Sequence, residues 1–265
     1  MTSPLISILI PAYNAGPWIA DAVRSALAQT WPHKEIIVVD DGSTDDTLAI
    51  LAQFDSAGII VVSQRNQGAA AARNHAFSLS KGDYIQWLDA DDLMAPDKLT
   101  HQVAALGQLQ GKRTLLSGTW GKFFYRPAKA RFVPSPLWSD LSPVDFLIHK
   151  LRENCFMQTA AWLVSRELTE AAGPWNTQLL GDDDGEYFCR VIRAADAIRF
   201  VPEARVYFRQ PAGTRLSYIG RSDRQVQALF LSMQMHIGYL RAMEDSERVR
   251  SACLNYMQIR LIHFY

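Results

Sequence analysis

Three carboxylates in four positions, Asp89-Ala90-Asp91-Asp92, follow the apolar run Tyr84-Ile85-Gln86-Trp87-Leu88. Two more, Asp40 and Asp41, end the run Glu35-Ile36-Ile37-Val38-Val39 and lead into Gly42-Ser43-Thr44-Asp45. Carboxylates crowded together raise one another's pKa unless a cation or hydrogen-bond donors compensate. Oxygen-only ligands favour Mg2+ or Mn2+, and Mg2+ takes one or two carboxylates while leaving positions for water and phosphate oxygens. One short D-x-D pair meets that need. Alone it is a weak signal, because Asp is common in turns and helix caps. Here it has company. Pro11-Ala12-Tyr13-Asn14 follows the first apolar run, and Asn66-Gln67-Gly68 with Ala71-Ala72-Arg73-Asn74 follows the third. Neither a G-x-x-x-x-G-K-[ST] loop nor a G-x-G-x-x-G turn after the first run is present. A bound phosphate would therefore need a metal and Arg side chains. The acidic end of the second run could instead hold a ribose hydroxyl or a base N–H.

These clusters need elements to bring them together. Ile6–Ile10, Glu35–Val39, Ile59–Ser63 and Tyr84–Leu88 read as strands, Glu35–Val39 being nearly all apolar, as a strand buried on both faces should be. Between them lie helical patterns: Ile19, Val23, Ala26 and Leu27 on one face, then Leu48 and Leu51 behind a Ser43-x-x-Asp46 capping signal, then the Ala-rich 68–79. Pro96 and Asp97 open a further helix with Leu99, Val103 and Leu106 on one side. Such alternation predicts a parallel sheet with helices on both faces, and ligands bind beyond the carboxyl ends of its strands. All four clusters sit at such ends. From about 112 to 220 the alternation is lost, and irregular strands and loops are expected around one helix near 186–194. From 221 onward two amphipathic helices carry Val226, Leu229, Phe230, Met233, Ile237 and Leu240, then Val249, Cys253, Tyr256, Met257 and Leu261.

Across 265 residues, 27 Lys+Arg balance 27 Asp+Glu, which excludes bulk attraction to nucleic acid. With 48% hydrophobic residues the chain is not disordered. The balance hides a division: residues 1–186 hold 15 basic and 21 acidic side chains, residues 187–265 hold 12 and 6. Three dispersed cysteines and six histidines without ligand spacing argue against disulfide and zinc chemistry. The start lacks signal-peptide features and no apolar run is long enough to span a bilayer, so a cytoplasmic chain is expected, with peripheral contact at the inner face of the membrane left open.

Taken together, the four clusters resemble the inverting family 2 glycosyltransferases over roughly residues 5–220. The resemblance implies an α/β, GT-A (Rossmann-like) fold: a mostly parallel central sheet flanked by helices, here with a C-terminal helical extension. It divides the chain into a nucleotide-sugar-binding half (1–111), an acceptor and catalytic-base half (112–220) and C-terminal helices (221–265). It implies a nucleotide-diphosphate sugar donor, with UDP favoured, and a glycan or lipid-linked acceptor. Pro11, Tyr13, Asn14, Asn66, Gly68 and Ala90 fall in the matching motifs. Tyr13 would pack on the base and Asp41 would hydrogen-bond it, with Asp40 alongside. Asp89 would bind the ribose, Asp91 would ligate Mn2+ or Mg2+, and Arg73 would line the nucleotide pocket. Gly181-Asp182-Asp183-Asp184-Gly185-Glu186 would carry the general base, Asp184 or Asp183. Arg209 or Arg215 would clamp the diphosphate, Arg being suited to bidentate phosphate contact. Gln210 stands where many members have His, a departure that weakens the case for a metal contact from that loop. Trp120, Trp138, Trp162 and Trp175 could stack on sugar rings, although the core is the commoner place for Trp. The Q-x-x-R-W motif of the processive synthases is missing, so a single transfer is expected. The competing readings are an inactive nucleotide- or carbohydrate-binding module and a sugar-phosphate nucleotidyltransferase, the latter lacking its Gly-rich basic loop.

Overall fold

The structure, a computed structural model, describes residues 3–107, 113–210 and 222–262. The expected alternation is present: β1 (Ile6–Ala12), α1 (Ile19–Leu27), β2 (Lys34–Asp40), α2 (Thr47–Leu51), β3 (Ile60–Ser63), α3 (Ala69–Leu79) and β4 (Tyr84–Trp87). β1 pairs in parallel with β2 and β4, and β2 with β3. β1 is buried along its whole length, because α1 and α3 cover opposite faces of the sheet. One set of strand residues (Ile6, Ile8, Ile10) packs with α1, and the alternate set (Leu9, Ile37, Val39) packs with α3. The apolar runs without polar alternation thus follow from two buried faces.

The two-residue strand β5 (Leu93–Met94) leads into α4 (Lys98–Leu106). α4 buries Leu99 as expected, but also Lys98, which is 0% exposed. Its ammonium donates to the side-chain oxygens of Gln86 and Gln102, and burial holds its pKa well below the usual lysine value.

The second half has more regular structure than its composition suggests. It contains β6 (Thr114–Phe123), β7 (Arg131–Phe132), α5 (Pro143–Arg152), β8 (Val164–Ser165), α6 (Arg166–Ala172), α7 (Asp183–Ala194) and β9 (Ala197–Arg209). α5 and α6 correct the expectation of a single helix there. Both announce themselves locally: Ser142 and Ser165 cap them by accepting from Asp145 and Leu168 N–H, and Pro143 takes the first turn. β8 adds antiparallel to β4, completing a sheet of order β3-β2-β1-β4-β8. A second sheet, β5-β9-β6-β7, is built on the long parallel β6–β9 pair. The two C-terminal helices are α8 (Asp223–Met243) and α9 (Glu247–Leu261), and α9 packs on α5. No helix among the described residues is long and apolar enough to cross a membrane.

Candidate active site

The polar clusters meet at the carboxyl edge of the first sheet and are laced together there. Asn14, at φ +47°, donates its N–H to Ser43 Oγ at 2.9 Å, and its side-chain oxygen accepts from Thr44 N–H at 2.8 Å. Ser43 is therefore committed to Asn14, and α2 starts without a side-chain cap, contrary to the Ser43-x-x-Asp46 reading. Asp41 is buried and caps α3. Its Oδ1 accepts from Gln67 N–H at 2.9 Å and the Gln64 amide at 2.8 Å, and its Oδ2 accepts from Gly68 N–H at 2.7 Å. A carboxylate at a helix N-terminus is electrostatically favoured. Gly42, at φ +75°, has no room for a side chain, since a Cβ would lie 2.9 Å from Asn66 N. Asp40 differs from its neighbour. Its Oδ2 accepts from Ser43 N–H at 3.2 Å, whereas its buried Oδ1 has no hydrogen-bond partner. Beside this loop Tyr13 is 45% exposed, and Pro11 is buried within β1.

Arg73 occupies the centre. Its Nη2 donates to Asp89 Oδ1 and its Nη1 to Asp183 Oδ2, each at 2.8 Å. The guanidinium lies 4.3 Å from the Trp175 ring centre and raises no cost of unpaired charge, because two carboxylates face it. Trp175 stacks its other neighbour, Tyr187, at 4.0 Å and 8°, while Trp87 meets both edge-on. This aromatic floor sets where Arg73 can point. Residues 16 and 110 positions away in sequence are thereby joined through one side chain.

The acidic segment 182–184 forms the start of α7. Asp182 is in the left-handed region at φ +57°, and the helix proper begins at Asp183. Ser232 of α8 donates to Asp182 Oδ2 at 2.8 Å, and His236 Nδ1 lies 3.9 Å from the same oxygen. Burial pushes His236 down to about 4, so its ring is uncharged at neutral pH. One turn further on, Tyr239 donates to Glu186 Oε1 at 2.7 Å, and Glu186 pairs with Arg190 through both oxygens. α8 thus holds the first turn of α7 at two points. Asp184 lines a cavity with Phe146, Lys150, Phe156, Met157 and Trp162. Burial in that largely apolar setting, with Asp183 and Asp182 close by, pushes its carboxyl up to about 6. Asp183 and Asp184 therefore diverge: the former is tied to Arg73, the latter faces the cavity.

The Glycosyl transferase family 2 model matches residues 7–170, more than half of the chain. The chain belongs to glycosyl transferase family 2. An uncharacterized glycosyltransferase of Rickettsia typhi is 30% identical over 228 residues, covering 82% of this chain and 69% of that protein. Other curated relatives match over shorter stretches, and this chain spans between 14% and 42% of their lengths. Among solved structures, Staphylococcus aureus TarS 1-349 in complex with UDP-GlcNAc superposes with a TM-score of 0.75 at 19% identity, over 97% of this chain and 73% of that one. The mannosyltransferase PcManGT of Pyrobaculum calidifontis, in complex with GDP-Man and Mn2+, gives 0.61 at 20% identity, over 99% and 76%. The expected GT-A fold, with its central sheet flanked by helices, is the fold of this glycosyltransferase.

Other residues of the family 2 chain have partners its sequence did not disclose. Arg209, expected on the diphosphate, is buried behind the D-x-D turn. Its Nε donates to Asp91 O at 2.8 Å, its backbone N–H to Asp92 Oδ1 at 2.8 Å, and its Nη2 to Asp21 Oδ2 at 3.1 Å. Gln158 donates to the other oxygen of Asp92. Arg215 lies outside the described residues. Trp162 and Trp175 are core residues, 1% and 2% exposed, which removes them as stacking surfaces for a sugar. Trp120 and Trp138 are half-buried against Phe156, Phe208 and Phe200. Ser232, His236 and Lys150 were missed as site residues. The first two carry a signal in hindsight: they are polar, four apart, and lie within the apolar stripe of α8.

A divalent cation would find oxygen donors at the D-x-D turn. Asp91 is half-buried, and Asp89 keeps one oxygen beyond the one given to Arg73. Among the described residues no three His, Cys, Asp or Glu side chains gather as a ligand set. A site of one or two carboxylates, completed by water and phosphate oxygens, is the donor set Mg2+ or Mn2+ accepts, so these residues fit such an ion.

Proposed function

We propose that this chain transfers one sugar from a nucleotide-diphosphate sugar, with UDP as the nucleotide, to a hydroxyl of a glycan or lipid-linked acceptor. Transfer inverts the anomeric carbon and occurs once per acceptor rather than processively. The observation that carries this reading is the Arg73 bridge: 2.8 Å to Asp89 of the D-x-D turn and 2.8 Å to Asp183, the neighbour of Asp184. It ties the donor end of the site to the segment that bears a base.

Asp184 takes the proton of the acceptor hydroxyl, and that oxygen attacks the anomeric carbon from the side opposite the nucleotide. The bond from that carbon to the phosphate oxygen breaks, and its electron pair leaves with the diphosphate. Attack opposite the leaving group inverts the centre, by the logic that governs inverting hydrolases. A carboxyl near pH 6 is well placed for this, since a general base works best with a pKa close to the operating pH. Mn2+ or Mg2+, held by Asp91 with Asp89 beside it, would supply positive charge to the departing diphosphate. Tyr13 offers an exposed ring for the base. Asp41, which the resemblance sets against the base, already gives its oxygens to three donors, and Asp40 beside it is fully buried. Residues 1–111 then serve the donor, and 112–220 the acceptor and the base.

The test is turnover of UDP-sugars with Mn2+ across an acceptor panel, with the product's anomeric configuration read by NMR. An inverted product supports the reading, and a retained configuration excludes Asp184 as proposed. UDP binding with no turnover of any acceptor would favour a binding module instead.

A further inference from the structure

The segment from Lys122 to Val133, which takes in the end of β6, its connecting loop and β7, carries three exposed apolar side chains: Phe124 is 63% exposed, Tyr125 81% and Val133 71%. Exposed apolar residues occur elsewhere, Ile262 at 78% among them, but here two aromatic side chains stand next to each other at 63% and 81%. Three exposed cations, Arg126, Lys129 and Arg131, stand between that pair and Val133, and a fourth, Lys122, just before. Residues 121–139 contain no Asp or Glu. Among the described residues, none of the four cations pairs with a carboxylate. Arg205, also exposed, adds a fifth positive charge over the Phe132 ring.

The hairpin's position matters as much as its composition. Phe123 pairs with Arg209 in the β6–β9 ladder, and the Arg209 guanidinium lies 4.7 Å from the Phe123 ring while holding Asp91 O. On the other side, Lys122 Nζ lies 5.8 Å from the ring of Phe156, which lines the Asp184 cavity. The hairpin thus borders both the D-x-D turn and the cavity of the base. On the C-terminal helices three arginines are paired: Arg248 with Glu244 and Asp145, and Arg250 and Arg241 with Asp245.

We propose that this hairpin docks the chain on an anionic lipid bilayer, with Phe124, Tyr125 and Val133 entering the interface and the four cations facing lipid phosphates. Aromatic rings are at home at the membrane–water boundary, and long cationic side chains keep their charge at the surface while their stems lie against apolar material. Neither signal suffices alone; a few apolar residues plus a basic cluster is the combination that holds a protein at an anionic surface. A soluble anionic glycan would meet the charges but leave the three apolar side chains in water. The inference deepens the proposed reading, which it rests on only for the acceptor: a bilayer seated here would present lipid-linked hydroxyls beside the Asp184 cavity.

Vesicle sedimentation tests it without any turnover. The chain should pellet with phosphatidylglycerol-rich vesicles and remain in solution with pure phosphatidylcholine. Arg126→Glu/Lys129→Glu/Arg131→Glu should weaken that binding by at least about a hundredfold, at roughly fivefold per basic residue removed from the surface. Phe124→Ser/Tyr125→Ser should weaken it at high salt most, when the apolar part carries more of the binding. Both variants should keep the parent's thermal midpoint and its UDP-induced stabilisation, which separates loss of docking from loss of the donor site. As a second readout, Tyr125→Trp should gain quenching by bromolipids. No pelleting of the parent chain, hairpin variants that pellet as well as it does, or equal binding to dextran sulfate that competes fully with vesicles would each overturn the proposal.

Discussion

Ser232, in the middle of α8, donates its hydroxyl to Asp182 Oδ2 at 2.8 Å, across 50 positions of sequence. Asp182 in turn occupies the left-handed backbone conformation that starts α7, and a Cβ on Gly185 would overlap its carboxylate. The C-terminal extension is therefore part of the site's framework, because it fixes the residue immediately before Asp183 and Asp184. Removing the hydroxyl should loosen that start without touching the donor loops. Ser232→Ala is expected to lower kcat about tenfold while the KM for donor stays within about twofold, since a hydrogen bond to a charged group contributes roughly 1.5–3 kcal/mol. Ser232→Thr should restore most of the rate. Steady-state kinetics with donor and acceptor varied separately check both.

The raised Asp184 pKa makes a pH profile informative. A base must be ionised to accept a proton, and this carboxyl is ionised above about pH 6. The kcat/KM of the free enzyme should rise with unit slope below about 6 and flatten above it. Asp183→Asn removes the nearest like charge, which favours ionisation, so the limb should move to lower pH. A profile whose acid limb ignores that substitution contradicts the assignment.

Arg73 is 7% exposed and neutralises two carboxylates. Arg73→Ala leaves both uncompensated and should cost about 3–5 kcal/mol of stability, the scale for breaking a buried pair. Arg73→Lys retains the charge but cannot span Asp89 and Asp183 with a fork, so it should recover stability more than activity. Chemical denaturation alongside kcat separates the two.

Chelation should abolish transfer, and Mn2+ should restore it. Calorimetry should find UDP affinity lower without the ion, and Asp91→Asn should erase most of the difference, because a pyrophosphate would then lose its shared cation. UDP affinity that is the same with and without Mn2+ argues against this role for Asp91.

The donor side was legible in the sequence because each cluster is local: a buried strand, then polar residues where it ends. Pro11–Asn14, Asp40–Asp45, Asn66–Arg73 and Asp89–Asp92 all lie at the edge where the strand-end rule puts them. What each side chain does there was less legible, since its partners are distant in sequence. Gly68 and Gln67 donate to Asp41, and Arg209 donates to Asp91, Asp92 and Asp21, partners that no local pattern in the sequence names. Ser43 followed by Asp46 fits a capping signal, yet a long-range N–H from Asn14 claims the hydroxyl. The second half hid its order for a different reason. β6 and β9 pair in parallel across the intervening α5, α6 and α7, and no periodicity within either strand encodes that partner.

The central claim is that Asp184, not Asp183, removes the acceptor proton. The direct measurement is single-turnover transfer by Asp184→Asn and Asp183→Asn, with UDP affinity measured for each. The account predicts that Asp184→Asn slows the chemical step by roughly 10²–10⁴-fold with nucleotide affinity nearly unchanged, and that Asp183→Asn retains much more of the rate. Near-normal turnover by Asp184→Asn, or a larger loss in Asp183→Asn at equal folding, would contradict it.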